Sequence, residues 1–318
     1  MNWKKEFLDL YTSEDNNLFN KALELKKENF PKYIYRYRSL EDGSLKYRLD
    51  EIENATLYLS HPKDLNDPFE ACSCLESTNL STYAPKEKFK ERYKDLLSKE
   101  EFTAIFESED WFDKLIMKVF STGSTNDGNN DKEKIKEIIM SEFIRLNSEL
   151  SKITRNHIRL ACFTTKANNL PMWSHYADNH KGFCFEFCMD DISNVYQRNR
   201  LLPVIYVIKI PDVTKLMLTR KKPKFILFDF MAMHKINDWK YEDEWRLIYN
   251  VGSWYYSLDE VPNEFWEKGK KIQFIKPSRI ILGANIKEDN KRIIIELARR
   301  LNISVVQAKI TEFGLEFE

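Results

Sequence analysis

The longest largely apolar run in this 318-residue chain, Pro203 to Ile210 (PVIYVIKI), is only of strand length. No stretch approaches the roughly 18–20 apolar residues that span a bilayer, so no membrane partner is expected. Similar short runs recur as KYIYRYRSL, TLYLS (56–60), IRLACFTT (158–165), GFCFEF (182–187), RIILG and ISVVQA. Between them lie stretches with the 3.6-residue period of amphipathic helices. Helices are read around 2–27 with a break at 13–17, at 43–54, in NLPMWSHYA with Asn169 as cap, around 222–236, and over 289–301. The alternation is not a regular βαβ repeat, so the expected class is α+β with a mixed central β-sheet. Residues 1–30 read as an N-terminal helical segment. Residues 31–318 read as one α+β domain, with a charge-rich helical insertion at 85–153 divided by the polar stretch from Ser121 to Asn130.

Composition narrows the function classes. With 42% hydrophobic residues and 14% aromatics the chain is globular rather than disordered. Lys+Arg and Asp+Glu both number 50, so no net field draws it to nucleic acid or anionic membranes. The one dense basic stretch, Arg220 to Lys224, reads as a solvated helix entry. Only 8 glycines are present, and neither G-x-G-x-x-G nor G-x-x-x-x-G-K occurs. Five cysteines without C-x-x-C spacing, and a start (MNWKKEFLDL) without an apolar core for a signal peptide, suit a reducing cytoplasm.

Charge placed inside strand-like runs carries the functional signal. In WKYEDEWRLIY (239–249), residues two apart share a face, which puts Glu242, Glu244, Arg246 and Ile248 together. Two carboxylates side by side on one strand face repel. KYIYRYRSL has the complementary oddity, with Arg36 and Arg38 on one face and Tyr33, Tyr35 and Tyr37 on the other. One reading pairs the two strands in the sheet as a structural Arg–Glu seam. The other makes them a site, with arginines holding an anionic ligand by forked hydrogen bonds and carboxylates meeting a developing cation. The loop LNDPFE (65–70) reads either as a strand-ending turn or as a polar lip beside that site.

The segment from Cys162 to Phe187 gathers Thr164, Trp173, Ser174, His175, Tyr176 and His180. His175 and His180 are five apart and do not share a helix face, so no metal is expected. Ser174 and His175 lack a G-x-S-x-G elbow. Trp173 is either core or an aromatic wall for a planar ligand. Lys63, Asp64, Asp67 and Glu70 faintly suggest a metal-dependent nuclease.

YRYRSL, LYLSHPKDLNDPFEA, CFTTKANNLPMWSHYADNHKGFCFEF and WKYEDEWRL, in that order, resemble a family of bacterial and phage proteins catalogued as domain of unknown function 2971. More distantly, the chain is similar to the ADP-ribosyltransferase superfamily. That likeness implies a split mixed sheet, NAD as substrate, and transfer of ADP-ribose to an acceptor, protein or nucleic acid among others. It implies Glu244 as the catalytic carboxylate and Glu242 as the preceding one. It also implies Arg36 or Arg38, Tyr58 and Ser60 as NAD contacts, with Trp173, His175 and Tyr176 beside them. A phage-defence or toxin effector with a regulatory partner protein fits the first resemblance. A non-enzymatic binding module remains the alternative.

Overall fold

In the computed structural model the described residues are 3–41, 44–75, 86–121, 145, 147–219, 225–253, 262–263 and 268–318. The basic stretch Arg220–Lys224 and most of the 121–150 region lie outside them. The strands are β1 (Tyr33–Arg38), β2 (Thr56–Leu59), β3 (Ile158–Thr164), β4 (Phe183–Cys188), β5 (Leu201–Pro203), β6 (Ile205–Val207), β7 (His234–Ile236), β8 (Glu244–Asn250), β9 (Lys270–Gln273), β10 (Arg279–Leu282), β11 (Ser304–Thr311) and β12 (Gly314–Phe317). Eight of them form one sheet in the order β12-β11-β10-β4-β1-β3-β8-β5. Only β10 and β11 are parallel within it; β2–β9 and β6–β7 make two small sheets. The fold is therefore α+β with a large mixed sheet.

Alternation along the strands sets the two faces. Ile34, Phe163, Phe183, Phe185, Phe187, Trp245 and Leu247 lie in one buried cluster with Ile52 of helix Leu45–Glu53 and with Ile294 and Leu297 of helix Glu288–Arg300. On the other face, Tyr37 and Cys184 pack with Met172 and Trp173 of helix Leu170–Tyr176. Ile158, Leu160 and Ile248 there meet Phe7 and Tyr11 of helix Trp3–Tyr11 and Met233 of helix Phe225–Met233. Helices Lys86–Tyr93, Lys99–Phe106 and Trp111–Ser121 enclose a separate aromatic cluster around Trp111 and Phe106.

The sheet is not evenly joined. β1 pairs with β4 over six register positions, Tyr33↔Cys188 to Arg38↔Phe183. It meets β3 at a single pair, Tyr35↔Thr164. Past that rung β1 and β3 part, and Ser60 takes up the β3 edge instead. Its N–H donates to the Leu160 carbonyl at 2.7 Å and its carbonyl accepts from Leu160 N–H at 3.0 Å.

Two expectations are corrected here. The strand containing Glu242 and Glu244 does not lie beside β1, because β3 intervenes. Nor is PVIYVIKI one strand. β8 ends at Glu244, so β5 loses its partner after Pro203↔Trp245, and the chain leaves to pair β6 with β7.

Gly182 brings β4 onto β1: a Cβ there would sit 2.0 Å from the Arg38 carbonyl oxygen. Backbone cannot yield as a flexible side chain would, and overpacking of this kind costs about 1–3 kcal/mol. Gly182→Ala is expected to lower stability by at least that much in urea unfolding, whereas Gly252→Ala, with nothing among the described residues within 4 Å of the added Cβ, stays near wild type.

Candidate functional site

A cavity of about 230 Å³ opens where β1 and β3 part. Tyr35, Tyr37, Cys162 and Thr164 line it from the strands, Ser60 and Asp67 from the connection after β2, and Tyr176 from its helix. Arg36 and Arg38 enter from one side, and Glu242, Glu244, Lys235 and Glu70 from the other. Register explains both the meeting and the surprise in it. Tyr35, Thr164 and Glu244 fall in one row, so Arg36 belongs to the opposite face of the sheet from Glu244. The Arg–Glu seam is thus absent. The two groups share a cavity only because the strands separate.

The carboxylate side is a buried ionic chain. Arg246, fully buried, forks onto Glu70 with Nη1 at 2.5 Å and Nη2 at 2.8 Å. Its Nε donates to Glu244 Oε1 at 2.8 Å, and Nη1 also donates to the Ala232 carbonyl. Lys235 Nζ donates to Glu244 Oε2 at 3.0 Å and to Glu242 Oε2. Tyr176 Oη donates to Glu242 Oε1 at 2.6 Å. Three carboxylates share two cations here, which answers the repulsion between Glu242 and Glu244: one ammonium sits between them. Burial works to raise the pKa of Glu244, but Arg246 and Lys235 prevail and hold it below the ordinary carboxylate range. Glu242 goes the other way, raised by burial and then by the charge of Glu244. Burial also keeps the Cys162 thiol protonated.

The opposite side is cation-rich. Arg38 Nη2 pairs with Glu51 Oε1 at 2.8 Å, and Arg48 Nη1 approaches Glu51 Oε2 at 3.4 Å. Arg36 donates through Nη2 to the Tyr58 carbonyl at 3.1 Å and lies over the Phe163 ring. Its Nη1 and the Nε of Arg38 are buried with no hydrogen-bond partner among the described residues. Arg36 is 8% exposed, so an unfilled guanidinium donor there is costly unless a ligand takes it. This separates the two arginines: Arg38 is engaged by a carboxylate and Arg36 is not.

Of the residues singled out in the sequence, Glu242, Glu244, Arg36, Arg38, Ser60 and Tyr176 line the cavity. Trp173 does not. It is fully buried, with Nε1 donating to the Ala167 carbonyl and its ring stacked on His180 and edge-on to Tyr37, so it is core rather than an aromatic wall. His175 is outside as well, with Nδ1 3.2 Å from the Tyr241 hydroxyl. Tyr58 turns outward, its hydroxyl accepting from Gly269 N–H. Among the described residues no three His, Cys, Asp or Glu side chains are grouped to hold a metal ion. Asp67 caps the Phe69 N–H at 2.8 Å and Glu70 is bound to Arg246, which accounts for the acidic loop. Lys235 was illegible in the sequence. Its only signal was a lone cation ending an apolar helix seven residues before Glu242.

A family model described as protein of unknown function (DUF2971) matches residues 172–247. The matched span carries Tyr176, Lys235, Glu242, Glu244 and Arg246. Arg36, Arg38 and the LNDPFE loop fall outside it, so it is narrower than the four-motif resemblance. No curated protein and no solved structure matches the chain.

Two predictions follow from these contacts. Arg246→Met leaves Glu70 and Glu244 buried without their guanidinium, and breaking a buried pair costs about 3–5 kcal/mol; the urea midpoint should fall accordingly. The second concerns His61, whose Nδ1 accepts the Lys63 N–H at 3.0 Å. Burial, then Arg159, depresses its pKa to about 4, and burial does the same for His234. The unfolded chain binds these protons near pH 6.5 and the folded one near 4, so stability is lost as pH falls through that window. His61→Asn keeps a capping oxygen but cannot titrate, and should flatten the slope of stability against pH between 6.5 and 4.

Proposed function

We propose that the parted sheet is an NAD-cleaving site and that the protein is an ADP-ribosyltransferase-like enzyme. The observation that carries this reading is the unequal setting of two neighbouring carboxylates in one cavity, Glu244 between Arg246 and Lys235, Glu242 between Lys235 and Tyr176, opposite a buried guanidinium with a spare donor; the first setting lowers the carboxyl pKa and the second leaves it raised. Carboxylates whose environments push their pKa values apart divide the roles of charge stabiliser and acid–base group.

In this reading the nicotinamide–ribose end of NAD enters the cavity. Its volume is below the roughly 300–1,000 Å³ of drug-sized sites, so the adenylate end extends out of the mouth. Arg36 Nη1 and Arg38 Nε donate to phosphate oxygens. The bond between nicotinamide nitrogen and ribose C1′ breaks, its electron pair leaving with nicotinamide. Positive charge builds on C1′ and the ring oxygen, as in glycoside cleavage. Glu244, fixed by Arg246 and Lys235, supplies preorganised negative charge to that transition state. An acceptor oxygen then bonds C1′ and passes its proton to Glu242, whose raised pKa suits a general base. Tyr176 and Lys235 hold Glu242 in place. The acceptor is a protein or a nucleic acid, and a phage-defence or toxin role with a regulatory partner accompanies the reading.

The alternative, a non-enzymatic binding module, draws on the closure of the Glu70–Arg246–Glu244–Lys235 chain, a stable seam that needs no ligand. Nicotinamide release from NAD, followed by chromatography, separates the two. In samples that circular dichroism shows to be folded, Glu244→Gln and Glu242→Gln should each reduce it by about 10²–10³-fold, and Arg36→Met should weaken NAD binding more than Arg38→Met. Absence of NAD binding to the wild type at millimolar concentration removes the enzyme reading.

A further inference from the structure

Asp243, between the two carboxylates, breaks the strand that the sequence pattern favours. Its φ is 44° and ψ 58°, a left-handed conformation that Asp tolerates better than most residues and that β-branched residues avoid. The β3–β8 ladder stops one step earlier, at Thr164↔Glu244. Beyond it Thr165 N–H donates to the Asp243 carbonyl at 3.3 Å, and Thr165 Oγ1 donates to the Asp243 carboxylate. Lys4, from helix Trp3–Tyr11, adds Nζ at 3.4 Å to both Asp243 Oδ1 and the Val204 carbonyl. Before the bend, residues 237–242 form a 3-10 turn. Asn169 fastens that turn by donating to the Tyr241 carbonyl at 2.5 Å.

In a continued strand, Glu242 and Glu244 would project side by side, one two-residue repeat (roughly 6.5–7 Å) apart. The left-handed residue instead swings Glu242 back, so that both carboxylates converge on Lys235 and Glu242 also meets Tyr176. We propose that Asp243 is a positioning residue, whose left-handed backbone, latched by Thr165 and Lys4, aims Glu242 into the cavity. Strain held at a site and over-determined by its surroundings marks functional geometry elsewhere. As a statement about catalysis this rests on the NAD-cleaving reading; as a statement about Glu242 it does not.

The test compares Asp243→Asn, which permits the left-handed backbone and keeps an acceptor for Thr165 and Lys4, with Asp243→Val, which opposes both, while circular dichroism checks the fold. One readout is nicotinamide release. The other is the titration of the Glu242 carboxyl by ¹³C NMR, assigned with Glu242→Gln. Among the described residues Glu244, Lys235, Tyr176, Tyr206 and Tyr241 are the titratable groups facing it. The expected result is release within about three-fold of wild type and an unmoved Glu242 titration for the asparagine variant. For the folded valine variant, release falls at least ten-fold and the titration moves toward an ordinary carboxylate. A valine variant that keeps both overturns the proposal, as does an asparagine variant as damaged as the valine one. If the wild type releases no nicotinamide, the enzyme reading fails, and the Glu242 titration alone still decides whether Asp243 positions it.

Discussion

The fully buried guanidinium of Arg246 is the interaction on which the site depends. Desolvating it is expensive, and only charged acceptors on both sides offset that cost. Its acceptors come from three segments: the Glu70 carboxylate from the connection after β2, the Glu244 carboxylate from its own strand, and the Ala232 carbonyl from the helix before β7. One planar cation thereby brings three segments to a common point. Glu244, held by Arg246, fixes Lys235, and Lys235 with Tyr176 fixes Glu242. Glu244 lies between two cations, which hold it ionised, whereas burial and the charge of Glu244 raise the pKa of Glu242 against Lys235 alone.

Arg155, in the turn of chain before β3, donates to the carbonyls of Pro68 and Glu70, each at 2.8 Å, and so clamps the loop that lines the cavity through Asp67 and Glu70. The N-terminal helices are fastened at the β5–β8 end of the sheet. Tyr11 donates to Asp229, which pairs with Arg200, and Lys26 donates to the carbonyls of Arg198, Asn199 and Leu201. The N-terminal helices are thus tied to the sheet through polar groups as well as apolar packing.

Strand parity was legible wherever a strand is regular. The tyrosines of β1 do face away from Arg36 and Arg38, and Glu244, Arg246 and Ile248 do share a face. The helix cap at Asn169 and the helix of the tail were equally readable, because their signals are local. Parity cannot tell which strands are neighbours, so the expected pairing of β1 with β8 failed when β3 came between them. Nor can it register a single residue in left-handed conformation, since Asp also sits readily in extended backbone. Asp243 therefore hid the point where the alternation stops. Glu70 looked like part of a turn because its partner lies 176 residues away. Trp173 gave no sign of whether its indole faced a ligand or the core.

The solitary rung between β1 and β3 has a mechanical consequence. Five strands from β12 to β1 and three from β3 to β5 form one hydrogen-bonded surface, yet among the described residues Tyr35 and Thr164 are its only strand-to-strand stitch across the parting. A full ladder would hold neighbouring strands about 4.7–4.9 Å apart along their length; a single stitch lets them diverge on one side of it, while Phe163 and Phe187 of the two blocks still share one apolar cluster. The cavity occupies that divergence, so the stitch and the shared cluster together set the separation between the arginine side and the carboxylate side. The distance between opposite charges is then a property of the joint.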